Sequence, residues 1–188
     1  MNTSGQWKRV EPTKYVIGRK YGVTIKNFLR PDGGRAIYDI FGEDNVVHAG
    51  VIALTDENKI VVGKQFRPGP EKIMWEIPGG TVEKGEKPIN AANRELLEET
   101  KYAPREIMPL GKVYKDGYMN ATWHYFLAKG CKIVADKQKL DIGEFVEHET
   151  ISIDELIDNA TNARMTDVEA VFLAYEKLKK IKEKNNEQ

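Results

Sequence analysis

The sequence predicts an α+β domain, with helices packed against a mixed β-sheet. Three observations lead there. The first ninety residues hold five short runs rich in β-branched and aromatic residues, separated by turn-forming clusters. A single helical stretch follows from about residue 88, and further strand-like runs come after it. Two more helices close the chain, each opened by a capping signature. Strands, helix, strands, helices is the order expected of helices laid on a sheet.

Composition narrows the function classes. The 29 basic and 29 acidic residues of the 188-residue chain cancel, so bulk charge points to neither nucleic acid nor a membrane surface as partner. No segment approaches the ~18 consecutive apolar residues of a membrane span, and `MNTSGQWKRV` lacks the apolar run of a signal peptide. The single cysteine, Cys131, cannot form an internal disulfide and reads as a small core residue in a reducing compartment. These features predict a cytoplasmic protein.

Strands are expected in `KYVIGRK`, `YGVTIKNFL`, `RAIYDIFG`, `VVHAGVIAL` and `KIVVGKQF`, with `RPDGG` and `TDEN` as hairpin loops. The nearly continuous apolar character of `VVHAGVIAL` and `KIVVGKQF` places both in the middle of the sheet. `EIMPLGKVY`, `TWHYFLAKGC` and `EFVEHETIS` supply later strands. The first helix opens near Pro88, a residue suited to a first helical turn. The second starts at Ser152, with Glu155 completing a capping box. The third is expected from Thr166, with Glu169 as reciprocal cap and Val168, Val171, Phe172, Tyr175 and Leu178 along its buried face. Its `KKIKEKNNEQ` end is expected to be solvated and frayed.

The first helix carries unusual charge. With Glu95 set at zero on a helical wheel, Glu99 falls at about 40° and Glu98 at about 300°, so three carboxylates share an arc of about 100°. Ile89, Ala92, Leu96 and Thr100 form the apolar stripe directly beside them. Glutamates favour helices, and on its own such a run reads as a solvated face. Yet like charges at this spacing destabilise a helix by a few tenths of a kcal/mol per pair. An external cation would relieve that repulsion. Oxygen-only ligands suit a hard divalent ion, Mg²⁺ or Mn²⁺, rather than zinc.

The surrounding spacing is more specific. Gly80 is followed after five residues by Glu86, after seven more by Arg94–Glu95, then Leu96 and Glu98–Glu99. This pattern resembles the Nudix box, and every charged position of that box is filled. The chain departs from it at Lys101, where the family has a glycine, and at Tyr102, where it has an aliphatic residue. The family glycine ends the helix in a left-handed conformation. Lysine in that geometry costs about 1 kcal/mol; otherwise the helix runs on to Tyr102 or Ala103 and stops before Pro104.

The resemblance implies a Nudix-type α/β/α sandwich with a mixed sheet. It implies hydrolysis of a nucleoside diphosphate linked to a second moiety, with Mg²⁺ as cofactor and Mn²⁺ as substitute. By resemblance Glu95, Glu99 and the Gly79 carbonyl bind metal, and Glu98 is a third ligand or holds a metal-bound water. Glu86 and Glu98 are held in place by Arg94, and the small Gly79–Gly80 pair lets backbone approach metal and phosphate. Three features resemble the ADP-ribose and nucleoside-diphosphate-sugar pyrophosphatase branch. Gln65–Phe66–Arg67 matches its diphosphate-binding element, with Arg67 as the gripping fork. The region 1–45 resembles an N-terminal antiparallel β-subdomain used for dimerisation and base binding, ahead of a hydrolase domain at 46–188. `KLDIGEFVEHETIS` resembles a loop that supplies a further catalytic glutamate, Glu144, with Glu98, Glu147 and Glu149 as alternatives. A homodimer and a small-molecule nucleoside-diphosphate sugar as substrate follow from this likeness, with Tyr21 as a candidate for stacking on the base.

Other marks point elsewhere. Gly117 is kept but Asp116 replaces the branch's proline, and Tyr118 lies sixteen residues past Tyr102, a spacing similar to that of dinucleoside polyphosphate hydrolases. A ligand-binding Nudix domain without activity is the reading from another class; retention of all the box acids favours the enzyme. His48, His124 and His148 read as strand residues rather than bases, and Trp75 as core.

Overall fold

The computed structural model describes residues 6–18, 21–140 and 145–186 of the chain. Two compact units emerge, Met1–Val46 with Tyr114–Thr122, and Val47–Val113 with Trp123–Gln188.

In the first unit β1 (Lys8–Ile17) pairs antiparallel with β2 (Gly22–Leu29), and β2 with the leading part of β3 (Arg35–Thr55) in a register running from Val23↔Phe41 to Leu29↔Arg35. The β2–β3 hairpin turns at `RPDGG`, where Gly33 takes φ 84° and its N–H donates to the Arg30 carbonyl at 3.0 Å. Trp7, Phe28, Tyr38 and Tyr118 meet edge-on or tilted, with ring centroids 5.9–6.4 Å apart. Asp44 is paired with Arg9 at 2.6 Å and with Lys26 at 2.8 Å.

β3 corrects the expectation of two strands at 35–42 and 46–54. It is one element of 21 residues, and the turn-like `GEDN` is absorbed with Gly42 at φ 86° and Asn45 at φ 64°. Single left-handed residues of these types are tolerated inside a ladder without ending it.

The second unit is built on β3 from Val47 onward, β4 (Ile60–Arg67), β5 (Lys72–Glu76), β6 (Gly79–Thr81), β7 (Tyr102–Ala103), β8 (Glu106–Val113), β9 (Met119–Ile133) from Trp123 onward, and β10 (Glu147–Ile151). β3 is central, pairing with β4, β6 and β9; β4 also carries β5 and β10, and β9 carries β7 and β8. α1 (Pro88–Thr100), α2 (Ile153–Thr161) and α3 (Val168–Asn186) cover the sheet. Alternation along the strands makes two cores. Val51, Ala53, Val61, Phe126 and Ala128 pack with Ala92 and Leu96 of α1. Ile52, Leu54, Ile60, Val62, Tyr125 and Leu127 pack with Leu156 of α2 and with Ala170, Val171, Ala174 and Leu178 of α3. Burying a side chain such as Leu96 contributes about 1.5–3 kcal/mol, which fixes α1 on one face with its acids beside the buried stripe.

Ser152 caps α2 in a full capping box with Glu155. α3 begins at Val168, two residues later than expected, and the Thr166 hydroxyl donates to Asp167 at 3.1 Å. Its buried face also differs. Ala170 and Ala174 sit flat on the sheet, whereas Phe172 is 81% exposed and Tyr175 points largely to solvent. Small residues at helical spacing let the helix approach closely, and this outweighs the size of Phe172. No helix among the described residues is long and apolar enough to cross a membrane.

Candidate active site

β6 and α1 bring the candidate site residues together within the second unit. β6 pairs with β3 so that Gly79 lies opposite Gly50 and Gly80 opposite Ala49. A Cβ on Gly79 would come within 2.6 Å of the Ala49 carbonyl oxygen, and one on Gly80 would overlap the Glu95 carboxylate. The two glycines thus let strand and acidic helix close on each other. α1 starts with Pro88 at its first position and ends at Lys101 in the left-handed conformation, φ 69° and ψ 3°. Its N–H donates to the Leu97 carbonyl at 2.9 Å. The helix therefore stops where the box glycine would stop it, with a lysine under strain in its place.

Arg94 gathers the acids. Its Nε and Nη2 donate to the two oxygens of Glu86, both at 3.2 Å, and Nη2 also reaches the Thr81 carbonyl at 3.1 Å. Nη1 donates to Glu95 Oε1 at 2.8 Å and to Glu98 Oε2 at 3.1 Å. The hydrogen bonds from Arg94 hold the Glu86 carboxyl below its ordinary pKa, helped by the Glu83 N–H. The hydrogen bonds Arg94 donates to Glu86, with the charge of Glu95 and the bonds to Glu98 and Glu95, outweigh burial and raise its pKa, so it stays cationic. The Gly79 N–H donates to Glu99 Oε2 at 3.1 Å, tying the last box acid to β6. Beyond β9, the Lys139 N–H donates to the Glu98 carbonyl at 2.8 Å, and the Gln138 side chain bridges the carbonyls of Glu99 and Val146. These bonds satisfy acceptors that the end of a helix leaves open.

Arg67 is engaged by a residue that the sequence did not single out. Its Nε and Nη2 donate to the two oxygens of Glu76, a fork-to-fork pair. Burial opposes the charged form of Arg67, but the hydrogen bonds to Glu76 and the charges of Glu76, Asp167 and Glu99 outweigh it and raise its pKa. Asp167 Oδ1 accepts from the Tyr125 hydroxyl at 3.1 Å. Burial, then the charges of Asp167 and Glu169, push the Tyr125 phenol upward, so it stays a donor.

Of the predicted residues, Gly79, Gly80, Glu86, Arg94, Glu95, Glu98 and Glu99 come together. Glu144 lies outside the described residues. Tyr21 belongs to the first unit, where its ring centroid is 5.3 Å from that of Phe41. His48 stacks on Trp123 at 4.4 Å, and Trp75 packs on the core with the Lys64 ammonium 3.9 Å from its ring centroid. The signal missed at Glu76 was a lone charge within the apolar run `IMWEIP`. A cleft of about 470 Å³ lined by Lys87, Pro88, Ile89, Pro109, Lys112 and His124 opens at the start of α1 and holds none of the box acids.

By donor type the box suits a hard divalent cation, although its side chains are not gathered around one point. Glu95, Glu98, Glu99 and the Gly79 carbonyl offer oxygen alone, and the space a Gly80 Cβ would fill is taken by the Glu95 carboxylate. Among the described residues no three Asp, Glu, His or Cys side chains meet as a cation would require. Arg94 instead takes one oxygen each from Glu95 and Glu98.

Comparison with known proteins bears on the family. Residues 44–174 match the NUDIX domain family. The chain is 30% identical over 166 residues to an ADP-ribose pyrophosphatase of Bacillus subtilis (strain 168), covering 88% of this chain and 89% of the relative. It is 32% identical over 166 residues, with the same coverage, to a methanol dehydrogenase activator of Bacillus methanolicus. The crystal structure of an ADP compounds hydrolase superposes with a TM-score of 0.77 over 95% of this chain and 97% of that one; at 21% identity this is a likeness of fold. A family match over most of the chain and a complete set of box acids lead to one conclusion: the chain belongs to the NUDIX domain family and is a hydrolase of that family.

Proposed function

We propose that the protein hydrolyses the diphosphate bond of ADP-ribose or a related nucleoside-diphosphate sugar, giving a nucleoside monophosphate and a sugar phosphate. The observation that carries this is the intact acid cluster of α1, organised by Arg94 against the Gly79–Gly80 strand. The length of the match to the Bacillus subtilis relative supports the substrate class. Gly79, Glu95, Glu98 and Glu99 would hold Mg²⁺, with Mn²⁺ as substitute. A cation held there would neutralise the diphosphate and lower the pKa of the attacking water. Arg67 binds the diphosphate. Glu144 orients the water and takes its proton as the oxygen bonds to phosphorus and the bridging P–O bond breaks; Glu98 is the alternative base.

The same reading makes the protein a cytoplasmic homodimer, in which the N-terminal strands of one chain, with Tyr21, grip the base bound by its partner. Support comes from apolar side chains left open on the first unit, Ile17 at 78% and Ile37 at 66% exposure. A fully active monomer in light scattering at micromolar concentration would refute the dimer. The substrate reading is tested by a panel of nucleoside-diphosphate sugars, dinucleoside polyphosphates and nucleoside triphosphates with Mg²⁺, both products being identified. Preference for a triphosphate or dinucleoside polyphosphate would overturn it. The equal coverage of the Bacillus methanolicus relative favours a second reading, activation of a dehydrogenase. It predicts that adding the protein changes the turnover of methanol dehydrogenase.

A further inference from the structure

We propose that Glu76 is a positioning residue, which grips Arg67 by its Nε–Nη2 edge so that the opposite edge of the guanidinium is presented to the substrate's diphosphate. This rests on the diphosphate role of Arg67 in the preceding section.

The register of the β4–β5 hairpin sets the pair up. Arg67 lies opposite Lys72 and Gly63 opposite Glu76, so Arg67, Gln65 and Gly63 share one face with Lys72, Met74 and Glu76. Arg67 must reach back along that face to meet Glu76. Gly63, directly across from Glu76, has no side chain to stand in the way. Exposure divides the labour: the Glu76 side chain is 11% exposed, whereas that of Arg67 is 42% exposed. The carboxylate is the buried anchor and the guanidinium the accessible head.

Competing carboxylates show why an anchor is needed. Trp75 is stitched to the segment before α3, its N–H donating to the Arg164 carbonyl at 2.8 Å and its carbonyl accepting from the Thr166 N–H at 3.1 Å. The charges of Asp167, just beyond that stitching, and of Glu99 both act on the Arg67 guanidinium. A long arginine released from Glu76 would be drawn to Asp167 or to Glu99, away from a diphosphate and toward a box acid. A two-point carboxylate fork prevents both, as no single-point contact could.

The test compares wild type with Glu76→Gln, Glu76→Asp, Arg67→Ala and the Arg67→Ala/Glu76→Gln double variant, using ADP-ribose and Mg²⁺. Glu76→Gln should raise KM about tenfold or more with kcat within about threefold of wild type, because the fault lies in substrate binding. Glu76→Asp should recover part of that loss. In the Arg67→Ala background Glu76→Gln should have no further effect, since Glu76 acts through the arginine. In protein labelled with [¹⁵N]arginine, the Arg67 Nε–H resonance should be sharp in wild type and broadened in Glu76→Gln. If Glu76→Gln does not fold, Glu76→Asp, alone and combined with Arg67→Ala, carries the same comparison. A wild-type KM in Glu76→Gln, or losses that multiply in full in the double variant, overturns the positioning role. An unchanged kcat/KM in Arg67→Ala overturns the diphosphate role of Arg67 beneath it, while persistent cleavage leaves the hydrolase reading standing.

Discussion

Replacing Arg94 with methionine keeps most of the aliphatic stem and removes every donor. Five hydrogen bonds are lost, to Glu86, Glu95, Glu98 and the Thr81 carbonyl. A hydrogen bond to a charged group contributes about 1.5–3 kcal/mol net, but these five share one cation and so do not add. The Arg94 side chain is 27% exposed and its partners 16–23%, so water re-solvates part of what is left behind. Mutual repulsion of the released carboxylates works the other way. A loss of about 2–4 kcal/mol follows, or about 5–15 °C in Tm for a chain of this size. The effect has a defined pH dependence. Glu86 is held below its ordinary value of 4.5, so its contribution is present above that value and lost as pH falls through the folded-state pKa. Urea unfolding of wild type and Arg94→Met at about pH 7 and about pH 3.5 measures both. A neutral-pH difference under about 0.5 kcal/mol, or a deficit that grows in acid, would refute the reasoning.

Lys101→Gly should stabilise the protein by about 0.5–1 kcal/mol, because release of left-handed strain exceeds the added freedom of the unfolded glycine; a lower Tm would contradict this. Burial pushes the Cys131 thiol up to about 12. Its contribution to stability is full below the ordinary thiol value of 9 and lost as pH rises from there through about 12. Iodoacetamide at about pH 8.5 should leave the native thiol intact and alkylate it in urea, as read by mass spectrometry. Glu99→Gln should lose turnover that excess Mg²⁺ partly restores. Glu144→Gln should lower kcat about two to four orders of magnitude at any Mg²⁺ concentration, with KM little changed; near-wild-type kcat would move the base to Glu98, Glu147 or Glu149.

Local rules made much of the fold legible. Pro88 at the start of α1, the Ser152–Glu155 box and the Thr55–Asn58 turn each depend on neighbours a few residues apart, and each stands where the residue types place it. The box acids were legible for the same reason, since helical spacing alone puts Arg94 beside Glu98. What escaped depends on distant partners. `RAIYDIFG` and `VVHAGVIAL` read as two strands until β3 is seen pairing on both sides of the junction between them. Phe172 resembles a core residue until Ala170 and Ala174 are found against the sheet. Whether Lys101 would keep the glycine geometry was open, because strain and packing there are close in size. The Glu76–Arg67 fork needs the hairpin register, which no periodicity within either strand reveals.

The most direct test of the account follows ADP-ribose by ³¹P NMR in the presence of the enzyme, with Mg²⁺, with chelator, and with Glu95→Gln in place of wild type. The account predicts AMP and ribose 5-phosphate as the only products, no reaction under chelation, full recovery when Mg²⁺ is returned, and loss of nearly all turnover in Glu95→Gln. Cleavage that continues in excess chelator, or a Glu95→Gln variant as fast as wild type, would contradict it.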